Sequence, residues 1–396
     1  MQIPAFSISG IPCIVFGDGT SSRLPALASE FGRRALVLTG ARSYTQTAAW
    51  QSLQDSLSAK GVIFLHAIVD GEPSPALADE LADRYRKEAI DVVIGIGGGS
   101  VLDAAKAVAG LLRVPNSVMD YLEGVGPELP YQGPEVPFIA VPTTAGTGSE
   151  ATKNAVLSRQ GEGGFKKSFR HERLVPKYAV IDPELLATCP KPLIAANGMD
   201  AFTQLLESYV STRANPIADA LAMSGIRAVR DSLTGWYSGE GDVASHRANM
   251  AYAALLSGIT LAQVGLGSVH GLAAPLGAFF PVPHGVVCGT LVAECTRVNI
   301  RVLQERAPES PALGRYAHVG RVLANDMKLG EPDGLARLLE VLETWTQRMG
   351  LPRLSRYGMQ ASDIPRVVAN CRGSSMKTNP IVLTDSEVAG ILEARL

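Results

Sequence analysis

The chain has 396 residues, 46% of them hydrophobic and 19% charged, with a formal net charge of −2. That length accommodates two domains, and that apolar content buries a large core and argues against intrinsic disorder. No basic stripe points to nucleic acid or an anionic membrane surface, and no apolar run reaches the about 18 residues that a transmembrane helix needs.

Residues 1–10 lack the basic-then-apolar order of a signal peptide, so a cytoplasmic protein is expected. The five cysteines, Cys13, Cys189, Cys288, Cys295 and Cys371, form no CxxC and read as single buried thiols of a reducing compartment. Short apolar runs at 35–39, 62–66, 91–96, 138–141 and 178–181 predict buried strands. Helix-length segments at 76–87 and 101–112 fall between them, and that rhythm predicts a parallel sheet with helices on its faces. The Gly- and Pro-rich stretch 124–137 is expected as a surface loop. After Asp182-Pro183 the texture changes to segments rich in Ala, Leu, Met and Glu at 201–210, 216–232 and 246–261. Strand-like runs become rare there, although 285–292 fits helix or strand. The expected organisation is an α/β dinucleotide-binding domain over 1–183 and an all-helical, metal-binding domain over 184–396.

Two loops carry chemistry. The run 91–96 leads into Gly97-Gly-Gly-Ser100, after which 101–109 opens as a helix. Glycines let backbone N–H groups approach an anion, and a helix N-terminus supplies unpaired N–H groups with partial positive charge. A pyrophosphate suits that place, whereas three glycines alone also make a plain tight turn. Pro142-Thr-Thr-Ala-Gly-Thr-Gly-Ser-Glu150 follows the next strand with hydroxyls and glycines at its carboxyl end, where open α/β sheets bind ligands. Two such loops after two strands of one sheet are most simply explained by a dinucleotide.

In the second half, 198–209 has a helical pattern in which Asp200 and Gln204, at i and i+4, share a face. The segment 269–275, with His270, reads as the end of one helix, and Pro281-Val-Pro-His-Gly285 as the start of the next segment. One carboxylate and two imidazoles suit Fe²⁺ or Zn²⁺. Taken singly, either His is equally readable as a hydrogen-bonded core residue.

Gly97-Gly-Gly-Ser-Val-Leu-Asp-Ala-Ala-Lys106, Thr143-Thr-Ala-Gly-Thr-Gly-Ser-Glu150, Gly198-Met-Asp-Ala201 and Pro283-His-Gly285 together resemble the iron-containing (group III) alcohol dehydrogenases. The likeness is collinear over nearly the whole chain and extends to Asp182-Pro-Glu-Leu185 and Thr378-Asn-Pro380. It implies the dehydroquinate synthase-like, iron-containing alcohol dehydrogenase fold, with a cleft between a nucleotide domain and a helical domain. It implies that Gly97, Gly98, Gly99 and Ser100 hold the pyrophosphate with Asp103 nearby. Thr143, Thr144, Thr147 and Ser149 would lie along the nicotinamide half, and Lys166 near its ribose. It further implies a metal held by Asp200, His270 and His284, acting as a Lewis acid on an alcohol or carbonyl oxygen during hydride transfer.

The chain departs from that pattern at three places. Gln204 stands where the family has a metal-binding His, and an amide oxygen is a weaker, neutral ligand. Ala274 stands where a His associated with proton handling is common. Gly40, followed by Ala41-Arg42-Ser43, replaces the Asp of NAD-preferring members, so Arg42 is available to a 2′-phosphate and NADP(H) is favoured over NAD(H). The resulting expectation is a metal-assisted, NAD(P)-dependent alcohol dehydrogenase or aldehyde reductase working as a homodimer or higher homo-oligomer. Lys153, Lys166, Arg170, His171 and Arg173 raise the question of an anionic substrate, or else are solvated charges. The alternatives are a maleylacetate reductase-like enzyme without metal and a non-catalytic nucleotide-binding relative.

Overall fold

The computed structural model describes residues 5–161 and 163–396, so part of the stretch read for a signal peptide lies outside the described residues. The chain divides into two compact units. One spans Ser9–Arg159 and Lys166–Cys189; the other holds Pro190–Leu396 with two short stretches from earlier in the chain.

In the first unit the elements run β1 Cys13–Phe16, α1 Leu24–Ser29, β2 Arg34–Gly40, α2 Ala48–Ala59, β3 Ile63–Val69, α3 Pro75–Tyr85, β4 Val92–Gly97, α4 Gly99–Leu111, β5 Phe138–Pro142, β6 Asn154–Arg159, β7 Phe165–Arg170 and β8 Tyr178–Ile181. Six strands form one parallel sheet in the order β1-β8-β5-β4-β2-β3, while β6 and β7 form a separate ribbon. Side chains alternate across the sheet. Leu36 and Leu38 face a core shared with α3 and α4, and Ala35 and Val37 face a core shared with α1 and α2. Burial on both faces is why these strands read as continuous apolar runs.

Strand order fixes where a ligand can sit. From β2 the chain moves outward to β3, whereas from neighbouring β4 it moves the other way to β5. Such a reversal opens a crevice beyond the carboxyl ends of the two strands. Gly40 and Gly97 are those ends.

The second unit is helical: α5 Lys191–Val210, α6 Pro216–Ser238, α7 Val243–Val264, α8 Ser268–Phe279, α9 His284–Arg306, α10 Pro311–Ala324, α11 Glu331–Arg348, α12 Ile364–Asn370 and α13 Asp385–Ala394. The ambiguous stretch 285–292 lies in α9. The segment 269–275 opens helix α8 rather than ending one, and Pro275 sits inside it. The breaks are elsewhere: Gly265, at φ 76°, and Gly267 precede α8, and extended Phe280 before Pro281 ends it. Among the described residues no single helix is long and apolar enough to cross a membrane.

Candidate active site

In the first unit, α4 starts on Gly98, an N-cap without a side-chain hydrogen bond, so its opening N–H groups are not capped by that residue. A Cβ on Gly99 would lie 2.6 Å from Thr147 Cγ2, and one on Gly97 2.5 Å from Val101 Cγ2. These glycines therefore answer to close approach: the Thr143–Ser149 loop lies against the glycine turn. Thr143 N–H donates to Gly97 O at 2.9 Å, carrying the β4–β5 ladder into both loops.

Beneath them lies a charge network that the motif reading passed over. Lys106 is completely buried, and its Nζ reaches Ser149 O at 2.8 Å, Ser149 Oγ at 2.9 Å, Thr152 Oγ1 at 3.0 Å and Asn154 O at 2.7 Å. Ser149 Oγ donates to Asp103 Oδ1 at 2.5 Å. Asp103 and Ser149, expected beside the cofactor, are thus fastened to each other and to Lys106, and they lock the second loop onto α4. Burial pulls the Lys106 ammonium down to about 8 and pushes the Glu150 carboxyl up to about 7. Burial also raises Asp103, with Lys106 opposing it.

Lys166, on β7, pairs with Glu72 at 3.0 Å and is close enough to Asp103 to act on its charge. Arg42 is exposed just beyond Gly40. The other cations of the anionic-substrate question are paired internally: Lys153 with Glu172, Arg170 with Glu123 and Arg173 with Glu135, while His171 Nδ1 accepts from Arg173 N–H. That pairing favours solvated structural charges.

In the helical unit, Asp200, Gln204 and Glu207 lie at i, i+4 and i+7 on one face of α5. His270 opens α8, and His284 and Cys288, at i and i+4, open α9. Glycine makes the meeting of helices possible: a Cβ on Gly285 would lie 2.6 Å from Ala196 O of α5, and one on Gly289 2.9 Å from Met199 Cβ. Asp200 Oδ1 is 3.2 Å from His270 Nε2 and 3.8 Å from His284 Nε2. Cys288 Sγ is 3.6 Å from His270 Nε2 and 3.8 Å from His284 Nε2. One ligand atom from each of these four residues lies within 4.8 Å of all the others.

Glu207 orients the cluster. Its Oε2 lies 2.6 Å from His270 Nδ1, and its Oε1 accepts the Val269 N–H at 2.7 Å. With the proton on Nδ1, the Nε2 lone pair of His270 points at Asp200 and Cys288. The Thr378-Asn379 motif supports the same helix start: Thr378 Oγ1 donates to Leu266 O, and Asn379 Oδ1 accepts from Ser268 N–H. Gln204 Nε2 donates to Asp200 Oδ1 at 3.1 Å while Ser257 Oγ donates to Gln204 Oε1 at 2.6 Å, so the amide nitrogen, not the oxygen expected as a ligand, faces Asp200. Ala274, one turn beyond His270, brings no titratable group.

The donor set fits a divalent metal. Asp200 Oδ2 is buried without a hydrogen-bond partner, an arrangement costly for a carboxylate unless a cation meets it. Burial works against the charged Asp200, yet His284 and His270 hold it below the usual carboxylate range. His270 stands well above its ordinary value, because Cys288 and Glu207 outweigh burial. Burial, reinforced by Asp200, pushes the Cys288 thiol up to about 12. Cys288 and Glu207 escaped the motif reading, although their i+4 spacing from His284 and i+7 spacing from Asp200 were available signals.

A parallel sheet with a glycine turn, followed by a helical unit gathering Asp and His, defines a class. Residues 12–183 match the family described as iron-containing alcohol dehydrogenase, and residues 194–396 match the Fe-containing alcohol dehydrogenase family, C-terminal. The chain belongs to that family. It is 27% identical over 389 residues to the NAD-dependent methanol dehydrogenase of Bacillus methanolicus, covering 97% of this chain and 98% of that one. It is 31% identical to the lactaldehyde reductase of Escherichia coli K12, with 88% of each covered. Among solved structures it is similar to a 1,3-propanediol oxidoreductase, at a TM-score of 0.89 and 26% identity over 99% of this chain and 100% of that one.

Proposed function

We propose that this chain is an NADP(H)-using oxidoreductase that interconverts a small alcohol and its aldehyde or ketone, assisted by a divalent metal held by Asp200, His270 and His284. The observation that carries this reading is the buried Asp-His-His cluster with an unsatisfied carboxylate oxygen, in a chain that also holds a glycine cradle at the sheet's switch point. The relatives' names, methanol dehydrogenase and lactaldehyde reductase, support a small substrate. A metal bound there would supply Lewis-acid polarisation of the substrate oxygen.

The chain's own groups do the rest. Gly97, Gly98, Gly99 and Ser100 offer N–H groups to the pyrophosphate, and Thr143, Thr144 and Thr147 border the nicotinamide half, where Lys166 serves the ribose. Asp103 and Ser149 hold those loops in register. A nicotinamide bound there would supply the hydride, and with Ala274 in place of an imidazole, water is left to carry the oxygen's proton. The test is carbonyl reduction with NADPH and NADH before and after chelation. Full activity in demetallated protein would end the metal assignment.

Arg42 supports NADP(H) over NAD(H), since an exposed guanidinium beyond β2 is placed to pair a 2′-phosphate. A Cβ on Gly40 would meet nothing nearer than 3.8 Å, so Gly40→Asp fits without strain. Arg42→Ala is expected to raise the KM for NADPH about 10-fold or more, and Gly40→Asp to turn preference toward NADH. Equal KM values for both cofactors in all three proteins would remove this assignment.

A homodimer in the cytoplasm completes the proposal. Edge strand β1 and its approach expose Ile11, Ile14 and Phe16, apolar side chains that a second copy would cover. The five cysteines are all free thiols, as in a reducing compartment. Sedimentation at a monomer's mass would remove the dimer.

A further inference from the structure

We propose that Cys288, not Gln204, is the fourth metal donor, so that the centre is one carboxylate, two imidazoles and one thiolate. This rests on the reading that the cluster holds a metal. A tetrahedral ion roughly 2.3 Å from sulfur and roughly 2.05 Å from nitrogen sets those two atoms roughly 3.6 Å apart. Cys288 Sγ lies 3.6 Å and 3.8 Å from the Nε2 atoms of His270 and His284. The same geometry puts nitrogen and oxygen donors roughly 3.4 Å apart, and Asp200 Oδ1 lies 3.2 Å and 3.8 Å from those nitrogens. The four side chains are spaced for one ion. Oδ2 of the same carboxylate is buried without a hydrogen bond, so Asp200 has an acceptor to spare for a cation.

Gln204 is committed otherwise. Its carbonyl accepts from Ser257, and its amide N–H holds Asp200 Oδ1. Turning the amide over would give up that N–H bond to Asp200 and change Ser257 Oγ from donor to acceptor. Gln204 is thus a positioning residue for Asp200. The chain lacks an imidazole on α5 but brings a sulfur one turn beyond His284 on α9.

The thiolate is the ligand, so the S–H proton leaves to water as the metal–sulfur bond forms. Carboxylate and thiolate then balance both charges of a divalent ion in a buried site. A soft donor also favours Zn²⁺ or Fe²⁺ over Mn²⁺ and Mg²⁺.

The experiment is X-ray absorption on the full chain loaded with Zn²⁺, paired with optical spectra of the Co²⁺-loaded form. One sulfur at about 2.3 Å beside nitrogen and oxygen at about 2.0–2.1 Å is expected, with a thiolate-to-cobalt charge-transfer band. Cys288→Ser should abolish the sulfur shell and the band. It should weaken metal binding by at least the ~10–100-fold that losing a ligand's hydrogen-bond partner costs, while Gln204→Leu keeps both signals. One metal per chain without a sulfur neighbour overturns this inference and leaves the metal reading standing. No stoichiometric uptake of Zn²⁺ or Co²⁺ by the unaltered chain overturns both.

Discussion

Asp200→Asn is expected to lower kcat/KM for carbonyl reduction by about 10³-fold, with NADPH affinity and helix content unchanged. Asp200 is completely buried in α5, and its Oδ1 receives Gln204 while facing both imidazoles. Asparagine keeps the shape and removes the charge, so a divalent cation loses an anionic donor. Polarisation of a substrate oxygen contributes several kcal/mol to a transition state, and about 4 kcal/mol is about 10³ in rate. Cofactor loops and cluster belong to different compact units, which is why NADPH affinity should not follow. Steady-state kinetics, metal content and NADPH fluorescence titration separate the effects. A kcat/KM within threefold of the unaltered chain would take Asp200 out of the chemistry.

Much of the fold was legible because burial writes itself into sequence. The central strands β2, β4 and β5 are apolar on both faces, so they stand out as runs. Edge strand β1, Cys13-Ile-Val-Phe16, is an apolar run too but went unread and buries only Val15, and the ribbon β6–β7 contains the alternation-breaking Lys166 and Lys167. Helix α8 was misread at its ends because Pro275 signals a stop that the surrounding packing overrides. Periodicity could place Asp200 on a helix face but could not say that α8 and α9 would bring His270 and His284 to it. Only the motif resemblance suggested that meeting. Cys288 looks in sequence like a small apolar residue, and its role depends on Gly285 and Gly289 letting α9 approach α5. Lys106 was quoted inside a motif yet unread, since a fully buried lysine is rare and its acceptors come from 43 to 48 residues away.

That lysine should dominate the stability of the α/β unit. Lys106→Met is expected to destabilise it by about 3–5 kcal/mol, the scale for removing one partner of a buried charged network. The midpoint should fall on the order of 10 °C for a unit of this size. Methionine matches the length of lysine but donates nothing, so the Ser149 and Asn154 carbonyls and two hydroxyls lose a shared donor, Glu150 loses its neighbouring cation, and Asp103 keeps only the weaker influence of Lys166. The pH dependence distinguishes this from simple misfit. Burial raises Glu150 from 4.5 to about 7 in the fold, so its stabilising contribution is complete below about pH 4.5 and is lost as pH rises through 7. Without Lys106 only the backbone hydrogen bond at Glu150 opposes that rise, and the loss grows and extends to higher pH. The deficit of Lys106→Met should therefore be smaller at pH 5 than at pH 8 in paired denaturant titrations. In Glu150→Gln the fall in stability between pH 4.5 and 7 should flatten. A deficit under about 1 kcal/mol, or one that does not change between pH 5 and 8, would mean that Lys106 fills space in α4 rather than binding the two loops through its charge.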